Sequence, residues 1–151
     1  MSTTALKPEV PALDAPADVI ALLHDAMLHL GLPADASASA ARSGSATLGG
    51  IPIGLACDID GETILAVADL GDGVLKTSGQ RRIALRANTE LMALVGAAIA
   101  SDRGQPRLMA RYRITVREGR QFAAWLHEFA RLAAAIRDGQ RSTTEAATPA
   151  T

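Results

Sequence analysis

The residues of this chain that could carry chemistry are few and scattered: three histidines, one cysteine, an acidic turn and a run of arginines. Nucleophilic catalysis needs a nucleophile, a base and an orienting group brought together. Serine and threonine are common here, but they fall mostly in tails and linkers. His24, His29 and His127 fall on the polar faces of predicted helices and read as solvated surface. His24 and His29 are five residues apart, so they do not share a helix face as an i, i+4 metal pair would. Asp58-Ile59-Asp60-Gly61-Glu62 has the look of a calcium-loop fragment. It lacks the further oxygen ligands and the distal acid such a loop needs, and a hairpin turn explains the same residues. The glycines of segment 44–50 do not spell a phosphate-binding loop. Cys57 reads as a small buried strand residue. The expectation is no catalytic group, no metal and no cofactor.

The arginines are a different matter. Arg107, Arg111 and Arg113 alternate on one strand, and Arg117 and Arg120 extend the stripe. A nucleic-acid-binding module could use such a row, and this is the main alternative function. Tyr112 falls on the opposite face of the strand, so no stacking aromatic interleaves with the stripe. A solvated sheet face or ion-pair partners explain it more plainly. An enzyme whose site is assembled from residues unconnected in sequence is a third possibility.

These residues sit in a chain of 151, enough for one domain with tails. Aromatics make up 3% of it, so the core must rest on aliphatics, with Phe122, Trp125 and Phe129 as its few large pieces. A net charge of −1 does not call for nucleic acid or an anionic membrane. A lone cysteine cannot pair internally, which favours a reducing compartment. The first 16 residues lack the basic start and apolar run of a signal peptide, and the longest apolar run, 91–100, is about half a bilayer span. A cytoplasmic protein without a membrane span is expected.

Periodicity places the elements. A helix over 17–30 carries Val19, Ile20, Leu22, Leu23, Ala26, Met27 and Leu30 on one arc and ends at Gly31-Leu32-Pro33. Residues 34–44 are Ala/Ser-rich and weakly structured. A short strand over 46–48 is followed by strands over 51–59 and 63–70, joined at Asp60-Gly61. A helix over 79–91, capped by Ser78, leads to segment 91–101, which periodicity alone reads as helix or buried strand; a strand from about Ala93 is favoured by the turn at 102–106 and the strand over 107–116 that follow. A last helix over 118–138 buries Phe122, Trp125, Leu126, Phe129, Leu132, Ala133 and Ile136, and stops at Gly139. The fold class is therefore α+β: helix, strands, helix, two strands, helix, with a twisted antiparallel sheet packed with helices. Residues 1–13 and 140–151 read as a flexible and a disordered tail around a domain at 14–139. The middle helix is unusual. Ile83, Ala84, Ala87 and Leu91 share one face, while Leu85 and Met92 lie well round the cylinder. A second apolar face calls for a second partner.

Several segments together resemble the Tir-chaperone family of class I type III secretion chaperones. Leu30-Gly31-Leu32-Pro33 sits where that family ends its first helix. Cys57-Asp58-Ile59-Asp60-Gly61 resembles its first hairpin, Leu85-Arg86-Ala87-Asn88 its Leu-x-Ala-Asn stretch, and 122–136 its amphipathic last helix. The resemblance implies a homodimer that holds the N-terminal region of a secreted effector protein in a non-globular state and delivers it to a secretion ATPase. On that reading the two-fold axis passes near Leu85, Met92 and Leu94. The client lies on the first helix and the neighbouring sheet edge, touching Ile20, Leu23, Met27 and Leu28. Ile20 and Met27 lie at one margin of the helix's arc; Leu23 lies nearer its centre and reads equally as core, and Leu28 lies outside the arc.

Overall fold

The computed structural model describes residues 12–147, and side chains up to 143; residues 1–11 and 148–151 of the two expected tails lie outside the described residues. The order is α1 (Ala17–His29), α2 (Ala34–Ser43), β1 (Ser45–Leu48), β2 (Ile51–Cys57), β3 (Thr63–Asp69), α3 (Ser78–Val95), β4 (Ala97–Asp102), β5 (Gln105–Arg113) and α4 (Gly119–Ala147). The strands form one sheet in the order β1-β2-β3-β5-β4, every pair antiparallel. The α+β class and the antiparallel sheet are as the sequence predicts.

The strands alternate strictly. Ile51, Ile53 and Leu55 of β2, Ile64, Ala66 and Ala68 of β3, and Leu108 and Ala110 of β5 are buried on one face. Residues between them, such as Pro52, Gly54 and Ala56, are exposed. The buried face meets α1 through Val19, Leu22, Leu23, Ala26 and Met27, and α4 through Phe122, Leu126, Phe129 and Ala133, in one continuous core. Tyr112 reaches this side from β5 and packs its ring 4.9 Å from Phe122 and 5.2 Å from Trp125.

Five boundaries differ from the sequence reading, the first four for a physical reason. The 34–44 stretch is a helix, α2. Pro33 sets its entry, Gly44 closes it at φ 69°, and packing against α1 supplies the stability that Ala and Ser alone would not. Its Ser37 is buried and donates to the Leu32 carbonyl. The cap of α3 is Thr77, not Ser78: Thr77 and Gln80 form a reciprocal capping box. That helix continues to Val95 and closes at Gly96, φ 65°, so β4 starts at Ala97 and not Ala93. The last helix runs through Gly139 to Ala147 because Gln140 is buried. The Gln140 amide donates to the Gln80 carbonyl and its side-chain oxygen accepts from the Leu75 N–H. Segment 140–147 is thus helix and not tail. Strand β5 also stops at Arg113, three residues early, although the Ile114 N–H still donates to the Glu62 carbonyl.

The turns are set by left-handed residues. Leu48 pairs with Ile51 across a two-residue turn in which Gly49 and Gly50 have φ 56° and 78°. Both must adopt positive φ in a type I′ hairpin, which glycine does without strain. The β2–β3 connection is longer, 58–62, with Gly61 at φ 70°.

Helices α1 and α4 cross tightly where α4 begins. A Cβ on Gly119 would lie 2.7 Å from the backbone nitrogen of Ala26 and press on the Asp25 side chain. The neighbour on one side is backbone, which cannot swing away. Gly119→Ala is expected to destabilise the fold by about 1–3 kcal/mol, the usual cost of overpacking. Chemical denaturation of the two proteins measures it; equal midpoints would show that the crossing is loose.

Candidate functional site

The candidate site is surface that the fold leaves apolar and uncovered. It has three parts, and the first is α3. Of its 18 residues only Gln80 and Ala84 are buried. Two polar anchors fix it instead. At its start, the Gln80 side chain donates to the carbonyls of Gly73 and Gln140 and accepts from the N–H groups of Lys76 and Thr77. Further on, Asn88 reads the backbone of edge strand β4: its amide donates to the Ile99 carbonyl at 2.9 Å, and its oxygen accepts from the Ile99 N–H at 2.7 Å. The carboxamide completes the ladder as a further strand would.

With the Asn88 side of α3 turned to the sheet, both flanks remain open. Leu85 and Met92, seven residues apart, share one flank and are 71% and 58% exposed. Ile83 and Leu94, eleven apart, share the other, and Leu94 is 81% exposed. The three residues expected near a two-fold axis therefore fall on two flanks. The sequence reading took Leu94 as strand, whereas the helix carries it to the far side.

The second part is the seam between α1, β1 and α4. Of the four expected client residues, Leu23 and Met27 are fully buried in the core, Ile20 is half-buried, and Leu28 is 43% exposed. Met27 is expected at a reachable margin, but the core encloses it completely. A cavity of about 350 Å³ opens beside the end of α1, lined by Leu30, Leu32, Leu48, His127, Ala130 and Ala134. A shallower groove lies beyond Leu30 and His127 and reaches Arg120. Strand β1 borders the cavity and is an edge strand, with one side of its backbone unpaired by the sheet. Leu32, Leu48 and the i, i+4 pair Ala130 and Ala134 meet here only through the tertiary fold, so no spacing in the sequence brings the three elements together.

The third part is the uncovered face of the sheet. Leu65, Val67 and Met109 lie half-buried at its centre. The arginine stripe does not survive as a continuous row. Arg107 pairs with Asp102 at 3.0 Å, and Arg117 pairs with Asp18. Arg120 belongs to α4 and the seam. Arg111 and Arg113 remain on the sheet face, without a carboxylate partner among the described residues.

Two of the three histidines, His29 and His127, line the same shallow groove. His29 lies 3.7 Å from Asp25 on the exposed side of α1, and His127 is on α4. No three His, Cys, Asp or Glu groups among the described residues are placed to hold a metal ion. Burial raises the Cys57 thiol above its ordinary value, and the charges of Asp60, Asp58 and Asp14 raise it further, which disfavours the thiolate nucleophile. Among the described residues no helix is long and apolar enough to cross a membrane.

The sequence matches no protein-family model and no curated protein. The fold does have a counterpart among solved structures. A chain from the structure of the HopA1-SchA chaperone-effector complex superposes with a TM-score of 0.60 at 12% sequence identity. The match covers 81% of this chain and 96% of that one. The two chains share one α+β fold.

The attachment of α3 can be tested at its second anchor. Asn88→Ala removes both bonds to Ile99 and leaves that backbone pair to water. The Ile99 amide should exchange with solvent at least about tenfold faster, and stability should fall by about 1–3 kcal/mol. Unchanged protection of Ile99 by NMR hydrogen exchange would show that α3 is held by other means.

Proposed function

We propose that this protein is a cytoplasmic type III secretion chaperone of the Tir-chaperone kind. It acts as a two-fold dimer that keeps part of a secreted effector non-globular before delivery to the secretion ATPase. The observation that carries this reading is the amount of ordered apolar surface on a fold shared with a chain of a chaperone–effector complex. A protein that holds a partner needs grooves and strand edges, and both are present at the seam.

The assignments within the site divide by geometry. The flank of α3 bearing Leu85 and Met92 is the dimer contact, with Leu94 at the far margin. The seam cavity and the β1 edge take the client: an extended segment adds beside β1 and drops apolar side chains between Leu30, Leu48 and Ala134. Leu28 and Ile20 extend this surface along α1. Leu23 and Met27 support it from beneath.

Two measurements test the reading. Light scattering at micromolar concentration should give about twice the chain mass of 15.6 kDa for the wild type. Leu85→Glu puts two like charges into a symmetric contact and should give the single-chain mass. A wild-type monomer at that concentration would sink the dimer. For the client, the natural partner is recovered by co-purification and its binding segment made as a peptide. Ala134→Glu should weaken binding of that peptide by at least about tenfold, a loss of about 1.4 kcal/mol, with circular dichroism showing that the fold is kept. Leu28→Asp is the comparison. Loss of binding there, with none at Ala134, moves the client to the outer face of α1. Salt-sensitive binding to oligonucleotides in place of peptide would favour the nucleic-acid reading.

A further inference from the structure

A sheet that does not close has two edges, and each offers unpaired backbone to any extended chain. Here the edges are β1 and β4, and register shows which groups each turns outward. Residues of an antiparallel pair alternate between bonding to the partner strand and pointing away from it. The Pro106 carbonyl accepts from the Leu70 N–H, on the side of β5 away from β4. Ser101, opposite Pro106, therefore turns its own groups outward, and so do Ile99 and Ala97. On the other edge, Leu48 and Ile51 close the two-residue hairpin and bond to each other. Ala46 then faces β2, while Ser45 and Thr47 face out.

The two edges are treated differently. Ile99, the middle outward residue of β4, has both its groups taken by one side chain: Asn88 accepts from its N–H at 2.7 Å and donates to its carbonyl at 2.9 Å. The remaining outward residues, Ala97 and Ser101, stand on either side of it. An added strand bonds to successive outward residues, and with Ile99 taken no two successive ones remain on β4. Strand β1 has no such cap. The Ser45 N–H donates to the nearby Ser43 hydroxyl at 3.2 Å, but no described group bonds to the outward backbone of Thr47. The Ser45 carbonyl and both Thr47 groups form a continuous run, and Thr47 borders the seam cavity, where a partner has room. On propensity alone asparagine is a weak residue for a helix interior. What position 88 gains from it is the bond to Ile99.

We propose that Asn88 decides which edge of the sheet accepts a strand. By occupying Ile99 it closes β4, and extended chains add at β1 alone. The strand it excludes first of all is that of a second copy of this chain. Joining the β1 edge of one copy to the β4 edge of the next is a heterologous contact that does not close, so its repetition builds a filament. This role concerns the sheet's edges and stands whether or not the chain holds a client.

Light scattering on the full chain, over a roughly hundredfold range of concentration, compares Asn88→Ala with the wild type. The mass of the variant should rise with concentration to at least about twice the wild-type value. The reference is the wild type's own mass, so a failure of the dimer reading leaves the comparison intact. Loosening of α3 would also cause association, and two prolines separate the causes. Ser101→Pro removes an outward N–H from β4, and Thr47→Pro removes one from β1, both at positions an edge strand tolerates. Neither restores the bonds of Asn88. Each, added to Asn88→Ala, should return the mass to the wild-type value. Asn88→Gln, whose carboxamide stands one carbon further out, is run beside it with the same expected rise and rescue, and circular dichroism checks that each variant keeps its fold. Masses equal to the wild type's in both Asn88 variants overturn the proposal. So does a rise that survives either proline, which would assign the association to the loosened helix.

Discussion

A five-stranded sheet has two faces, and the core of this chain forms on one. That constraint organises the molecule. The covered face is built from residues with opposite demands: small ones at Ala66, Ala68 and Ala110, and large ones supplied by α4 and Tyr112. Small side chains on the strands let α4 bring its aromatic stripe close. Trp125 stacks on Phe122 and Phe129, with ring centres 5.9 and 5.5 Å away. Such contacts add about 0.5–1.5 kcal/mol each beyond the area they bury. A chain with 3% aromatics concentrates four of them at one place. The same arrangement leaves the strands' other side chains in solvent, and there the sequence places Pro52, Gly54 and Ala56 with arginines beside them.

What the sequence made legible follows from how local each signal is. The period-2 alternation of 107–113 and the i, i+3, i+4 stripe of α4 are carried by consecutive residues, so the sheet face and the packed helix face could be read directly. Helix α2 could not, because Ala and Ser carry little period and its stability comes from α1. The end of α3 was readable in principle. Gly96 stands one residue past Val95 and closes the helix in the left-handed region, as a glycine after a helix commonly does, but the apolar run on both sides of it masks the signal. The bond between Gln80 and Gln140 spans 60 residues, and no local pattern reports it. The site divides in the same way. Exposed Leu85, Met92 and Leu28 were visible as residues off their helix's main arc. The seam cavity was invisible, since it needs the end of α1, the edge β1 and the middle of α4 together.

Polar anchoring of α3 has a consequence for how the protein exists in solution. An isolated helix of about 12–15 residues is marginal in water, and most helices in proteins are held by an apolar face. This one has 18 residues and buries two of them, so its attachment rests on Asn88 and Gln80 more than on packing. Hydrogen bonds fix position and direction but contribute only about 0.5–1.5 kcal/mol each. Fully burying a leucine side chain contributes about 1.5–3 kcal/mol. Covering Leu85 and Met92 on one flank of α3 would therefore stabilise it by an amount of the same order as one anchor. The anchors set where the helix lies and which flanks it leaves exposed.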